Sequence, residues 1–130
     1  MTTFEMLFTA GLVVAVGFIG LVAARRTGNG DWRIAGLIGA AFAGYSMIPI
    51  LREGPTGFYP IHVVNFWGVQ VWFDLALSLS CAVFLAAPRA RCAGMALAPW
   101  LLLVLLGGSI GLLALLTRLF WLERNAPTQA

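Results

Sequence analysis

Long apolar runs, separated by short segments rich in Arg, Gly and Pro, make up most of this chain. A helix needs about 20 residues to cross a hydrocarbon layer roughly 30 Å thick, and each run has about that length. The pattern therefore predicts four transmembrane helices, over residues 4–24, 34–51, 66–87 and 96–122. The expected fold class is all-α, a four-transmembrane-helix bundle that forms a single membrane domain over residues 1–130.

Prolines and arginines mark the expected helix ends. Pro49 is expected to kink or end the second helix, because proline removes an interior backbone hydrogen bond. The third helix is expected to stop at Pro88 and Arg89, and the fourth is long enough to cross with tilt. The first run is not expected to be a secretory signal, since its positive charges follow the apolar stretch instead of preceding it.

The composition excludes an ordinary soluble domain. Of the 130 residues, 61% are hydrophobic and 10% are charged. Soluble domains carry roughly 45–50% apolar and about 25% charged residues. Four crossings would also leave no room in this chain for a soluble catalytic domain.

The positive charges predict an orientation. All eight basic residues are arginines, and they interrupt the apolar runs instead of forming one patch, so membrane lipids and not nucleic acid are the expected partner. If four helices alternate in direction, more arginines lie on the side of the first and third connections, which predicts that side in the cytoplasm and both termini outside. The expected inner group is Arg25, Arg26, Arg33, Arg89 and Arg91, and the outer group is Arg52, Arg118 and Arg124.

Small residues predict where helices pack closely, because lipid supplies no hydrophobic drive for helix association. Whether these positions face helices of the same chain, of a second copy or of a larger membrane complex stays open. The expected packing positions are Gly36, Ala40, Gly44, Gly107 and Gly111.

Asp74 is the main candidate for a binding or coupling role. Counted from Phe66, it lies roughly 12 Å into the hydrocarbon, where a carboxylate costs about 2.5–3.5 kcal/mol. Gln70, Asp74, Ser78 and Cys81 follow one another at helical spacing and form one polar stripe. We therefore expect Asp74 to face the bundle interior or a polar cavity.

Arg118 is the expected partner of Asp74, with Tyr45 at a similar depth. Together with Gln70 these residues would form an outer polar cluster, with Arg52 and His62 at its mouth. Two interpretations stay open: a buried ion pair that fixes helix register, or a site for an ion or small ligand.

The segment of residues 52–65 is either a loop folded over the outer mouth or a plain connector anchored by Phe58 and Tyr59. Its His62 is the only histidine, and no CxxC motif is present, so no metal site is expected. A role for His62 as the single axial ligand of a haem or chlorophyll is an interpretation that stays open. The sequence requires no cofactor, although a lipid, isoprenoid or pigment could occupy the apolar faces.

Several short motifs resemble an uncharacterised family of small bacterial integral membrane proteins. In that family an Asp begins one helix, a basic turn with a glycine follows, and the last helix closes on an aromatic and Arg segment. The resemblance covers roughly the second half of the chain and implies a bacterial inner-membrane location, but no activity. The matching residues are VWFDL (Val71 to Leu75), PRARCAG (Pro88 to Gly94), Trp100, GGSIG (Gly107 to Gly111) and LFWLER (Leu119 to Arg124).

These observations favour a non-enzymatic function, an accessory or scaffolding subunit of a membrane complex or homo-oligomer. No phosphate loop or HExxH motif is present. One alternative is an oligomeric ion or small-molecule transporter with Asp74 as its protonatable site. Another is an intramembrane lipid-modifying enzyme that uses Tyr45, Arg52, His62 and Asp74.

Overall fold

The computed structural model describes residues 2–24 and 30–126, and within them the chain is all-helical with no strand. The all-α prediction is therefore confirmed, while a bundle of four membrane-crossing helices is not. The helices are α1 (Thr3–Ala24), α2 (Trp32–Glu53), α3 (Phe58–His62), α4 (Phe66–Cys92), α5 (Leu97–Gly107) and α6 (Ser109–Asn125).

By length and composition, α2 and α4 could each cross a membrane. Only 6% of the most apolar stretch of either helix is buried, which distinguishes both from the core helices of soluble proteins. Both helices continue through a proline, so the expected stop at Pro88 and Arg89 is wrong, and Pro49, which was expected to kink or end its helix, does not end it. α2 passes Pro49 and reaches Glu53, and α4 passes Pro88 and reaches Cys92.

The fourth apolar run is broken into two helices at Gly108, so the prediction of one helix over residues 96–122 is wrong. Gly108 has φ +54° and ψ −125°, a conformation that disfavours residues with a side chain. After this break the chain turns back on itself, and Gly111 lies directly against the backbone of Leu103 and Val104. α5 and α6 therefore form a tight helical hairpin.

α6 is the central helix of the fold and packs against α2, α5 and α4. A Cβ on Gly36 would lie 3.4 Å from Thr117, and one on Gly39 would lie 3.2 Å from Leu113. Since the numbers rise along α2 as they fall along α6, these two helices are antiparallel.

α4 runs in the same direction as α6. Leu79 lies beside Gly108, and Arg89 pairs with Glu123 fifteen residues further along α6. The buried core lies where α4, α5 and α6 meet. It consists of Ala86, Ala90, Met95, Val104, Leu115 and Leu119.

These directions collect most of the positive charge at one end of the fold, which we call the basic end. The sequence analysis placed Arg118 and Arg124 on the side of Arg52, but the reversal at Gly108 brings them to the opposite end. α6 therefore ends on the same side as the connection between α4 and α5. The arginines of the basic end are Arg33, Arg89, Arg91, Arg118 and Arg124.

α1 contacts none of the other helices through the residues that the structure describes. The predicted positions of Arg25 and Arg26 fall outside the described residues. The packed part of the fold is therefore α2 to α6, and α1 is a separate apolar helix within a single chain.

Candidate functional site

The polar stripe on α4 points away from the rest of the fold. Leu79, Ala86 and Ala90 form the packed side of α4, with Ala90 completely buried. At 100° per residue, the stripe lies on the opposite side of the helix. All four of its residues are exposed, and we call this surface the polar face: Gln70, Asp74, Ser78 and Cys81.

The structure does not bring Asp74 and Arg118 together. Asp74 lies fifteen residues before Arg89 on α4, while Arg118 lies only five before Glu123 on the parallel α6. The difference of ten residues separates them by about 15 Å along the helix axes. The expected pair is absent because the break at Gly108 moves Arg118 to the basic end.

Asp74 makes no ion pair or hydrogen bond with any described residue. α2 and α4 do not pack on each other in the described part of the chain, so Tyr45 is not brought to Asp74. Tyr45 is 47% exposed and its ring lies 6.4 Å from that of Phe42 on the same helix. Arg52 is exposed in the last turn of α2, at the end opposite the basic end.

His62 belongs to an aromatic cluster that ties α3 to α4. Its Nδ1–H donates a hydrogen bond of 2.6 Å to the carbonyl oxygen of Phe58, because a carbonyl can only accept. Its ring lies 5.5 Å from the ring of Trp72, which stacks on Phe58 at 5.8 Å. Among the described helices, α3 packs on α4 alone, so within the described residues the segment 52–65 is a connector and does not cover the other helices.

A groove that no sequence pattern indicated lies between α2 and α6, with a volume of about 580 Å³. We call it the Trp groove because Trp32, Trp100 and Trp121 border it, with Thr117 and Arg118 beside them. Trp32 and Trp121 are far apart in the sequence and are brought together by the antiparallel packing of α2 and α6. The rest of the lining is apolar: Gly36, Gly39, Ala40, Ile110, Leu113 and Ala114.

Arg118 stands at the charged end of this groove. Its guanidinium carbon lies 4.6 Å from the centre of the Trp121 ring, one helical turn away. Stacking of this kind stabilises the cation and leaves its N–H groups free at the edge of the plane. The spacing of Arg118 and Trp121 was the sequence signal for this contact.

A second arginine at the basic end is neutralised. Arg89 donates from Nε and Nη2 to the two carboxylate oxygens of Glu123, at 2.9 and 2.6 Å. Its guanidinium also lies 5.5 Å from the ring centre of Phe120. This two-bond pair joins the ends of α4 and α6, and no sequence pattern pointed to it.

The five expected packing positions have different surroundings. Gly36 faces Thr117 on α6, and Gly111 faces the backbone of α5. Around Gly44 and Gly107 the described residues leave open space, and Ala40 borders the Trp groove. The contact between α2 and α6 follows Gly36 and Gly39 instead of the predicted four-residue spacing.

The described residues contain no group of three His, Cys, Asp or Glu side chains that could hold a metal ion. Cys81 and Cys92 are both exposed and form no disulfide. Comparisons with protein-family models, curated proteins and solved structures found no match to this chain. The likeness to small bacterial membrane proteins therefore stays a prediction.

Proposed function

We propose that the chain is an integral membrane protein that acts as a scaffolding subunit, and that two copies associate through the polar face of α4. The observation that carries this proposal is the outward direction of Asp74. A carboxylate in contact with lipid at this depth costs about 2.5–3.5 kcal/mol. Because no other described residue of the chain covers Asp74, a second polypeptide is the simplest source of hydrogen-bond donors.

A second copy of the same chain fits this face because the face contains its own donors and acceptors. The amide of Gln70 and the hydroxyl of Ser78 can donate, and the carboxylate of Asp74 can accept. They follow one another at single-turn spacing on one side of α4. In a two-fold dimer each surface meets its own copy, so Gln70 and Ser78 of one copy can meet Asp74 of the other.

In the proposed orientation the basic end faces the cytoplasm of a bacterial inner membrane, following the positive-inside rule. The C-terminal end of α6 then lies inside, which replaces the expectation that both termini lie outside. α5 has 11 residues, and a helix of that length rises only about 16 Å. Starting from the basic end, the hairpin would therefore turn near the middle of the bilayer and return to the same side.

The two cysteines allow a direct test. In membranes, a Cys92→Ser variant keeps Cys81 on the polar face as its single thiol, and mild oxidation should link two copies through it. The matched control removes both cysteines and introduces Ser80→Cys, one residue away but about a quarter turn round the helix. Ser80 only bonds the carbonyl of Ala76 in its own helix, so this change disturbs no helix contact.

We expect a disulfide-linked dimer from Cys81 and little linked dimer from a cysteine at position 80. Adding Asp74→Leu to the Cys81 variant should abolish its linked dimer. An Asp74→Asn variant should keep the dimer, because an amide still hydrogen-bonds. Equal linking at positions 80 and 81, or an undiminished dimer with Asp74→Leu, would refute the proposed interface.

An ion or small-molecule transporter is the second candidate, and the break at Gly108 favours it. Transporters often place binding sites where a helix is interrupted near the bilayer centre. Purified protein in sealed vesicles should then move protons or cations, and Asp74→Asn should abolish that movement while leaving the Cys81 dimer intact. No flux above protein-free vesicles would remove this candidate.

A further inference from the structure

The Trp groove combines an apolar floor with one cationic end, a combination that matches an amphiphile with a negatively charged head. We propose that it binds an anionic phospholipid, with the phosphate on Arg118 and one acyl chain along the groove between α2 and α6. This inference rests on the proposed membrane location but not on the pairing of two copies.

Arg118 carries the positive charge that would bind the phosphate. Arg89 already has a carboxylate partner in Glu123, whereas no described carboxylate lies within ion-pair distance of Arg118. Its guanidinium lies 4.6 Å from the centre of the Trp121 ring, a contact that favours one direction of the side chain before a ligand arrives. A planar guanidinium with a free edge can give two parallel hydrogen bonds to a phosphate.

The shape of the groove suits an acyl chain. Gly36 and Gly39 let α2 lie close against Thr117 and Leu113 of α6. Together with Ala40 they form a floor of small residues over which an acyl chain can lie. The volume of about 580 Å³ falls within the usual range of ligand sites. Between Ile110 and Trp121 the groove follows α6 for roughly 16 Å, which suits an extended acyl chain.

Thr117 is the one hydroxyl among the residues that line the groove. It donates its proton to the carbonyl oxygen of Leu113 at 2.7 Å and so has none to give to a ligand. Recognition then depends on the charge of Arg118, on the indole N–H groups near it and on apolar contact elsewhere. The three tryptophans lie near that charge, at the level where tryptophan normally meets lipid headgroups.

Native mass spectrometry of the full chain, released from nanodiscs, can test this. Nanodiscs would contain phosphatidylcholine alone or with one fifth phosphatidylglycerol, and the number of lipids retained per chain would be counted. Arg118→Gln removes the charge, and Ala40→Phe fills the floor while keeping the charge. Arg124→Gln is the matched control, because Arg124 is exposed at the same end and does not line the groove.

We expect one phosphatidylglycerol retained in preference to phosphatidylcholine. Arg118→Gln and Ala40→Phe should each weaken its retention about tenfold or more, as expected for loss of a charged hydrogen bond or of the binding space. Arg124→Gln should change retention less than about twofold, because surface charges act weakly.

Three results would overturn the inference. Equal retention of both lipids would remove the role of charge, and equal losses for Arg118→Gln and Arg124→Gln would show general attraction to the basic end. In nanodiscs that also contain a polyisoprenyl phosphate, tighter retention of that lipid than of phosphatidylglycerol would assign the groove to another ligand. The proposed dimer is tested independently, because lipid retention is counted on monomer and dimer peaks separately and Asp74→Leu should not change it per chain.

Discussion

Replacing Gly108 by alanine tests the feature that most changes the fold, the reversal between α5 and α6. Gly108 has φ +54° and ψ −125°, a backbone conformation populated almost only by glycine. Gly107 is its neighbour in the sequence, but it ends α5 with a negative φ and open space around it. Alanine at these two positions should therefore change the free energy of unfolding in opposite directions.

The expected magnitudes follow from these conformations. Gly108→Ala should lower the free energy of unfolding by about 1–3 kcal/mol, the usual cost of holding a side chain in a sparsely populated backbone region. Gly107→Ala should raise it by up to about 1 kcal/mol, because alanine favours the helix and no described atom lies within 4 Å of the added Cβ. The predicted difference between the variants is therefore about 1–4 kcal/mol.

Unfolding of the detergent-solubilised chain by increasing SDS, followed by tryptophan fluorescence, measures this difference. If a single straight helix covered residues 96–122, both positions would lie inside it and both alanines would stabilise the protein. Stabilisation by Gly108→Ala equal to that by Gly107→Ala would therefore refute the hairpin.

Three further predictions follow from the packing and the charges. Leu119→Ala should lower the free energy of unfolding by about 2–5 kcal/mol in the same SDS assay, because Leu119 is completely buried. Leu105→Ala is the control: Leu105 is 80% exposed, so its replacement should change the free energy of unfolding little. A double-mutant cycle of Arg89→Gln and Glu123→Gln should give a coupling below about 1 kcal/mol that weakens with salt, because the arginine is half exposed. A fluorescent protein fused after α6 should fold in the cytoplasm; export of the fusion would place the basic end outside.

The sequence predicted the features that depend on local composition. α2 and α4 were expected because each has a long apolar run, and both extend past their prolines. Loss of one backbone hydrogen bond is tolerated in such helices when neighbouring groups compensate. The basic residues in the last turn of α4 also favour its continuation past Pro88, since they interact with the carbonyl end of the helix.

The hairpin could not be predicted from hydropathy because a break inside an apolar run changes neither the length nor the polarity of that run. Gly107 and Gly111 were interpreted as packing residues of one helix, although the adjacent glycines 107 and 108 can also mark a turn. The positive φ of Gly108 and the contact of Gly111 with the backbone of α5 distinguish these two interpretations. This one error displaced Arg118 and Arg124 to the wrong end of the fold.

The position of Arg118 also changes what Asp74 implies. An ion pair with Arg118 would have neutralised the carboxylate within one chain. Asp74 would then have needed no other partner, and the pair would only have fixed the register of the two helices. With Arg118 on the far side of the hairpin, the two charges have separate requirements. In the proposed membrane location, Asp74 lies on a span with few buried residues and would take hydrogen-bond donors from a second copy. Arg118 has no described carboxylate partner and lies beside an apolar groove, where the proposed ligand would supply an anion. The two charged groups lie on different helices and at different depths, so one small ligand does not reach both. The two proposals together account for both groups: a second copy contacts Asp74 on α4, and a lipid phosphate contacts Arg118 on α6.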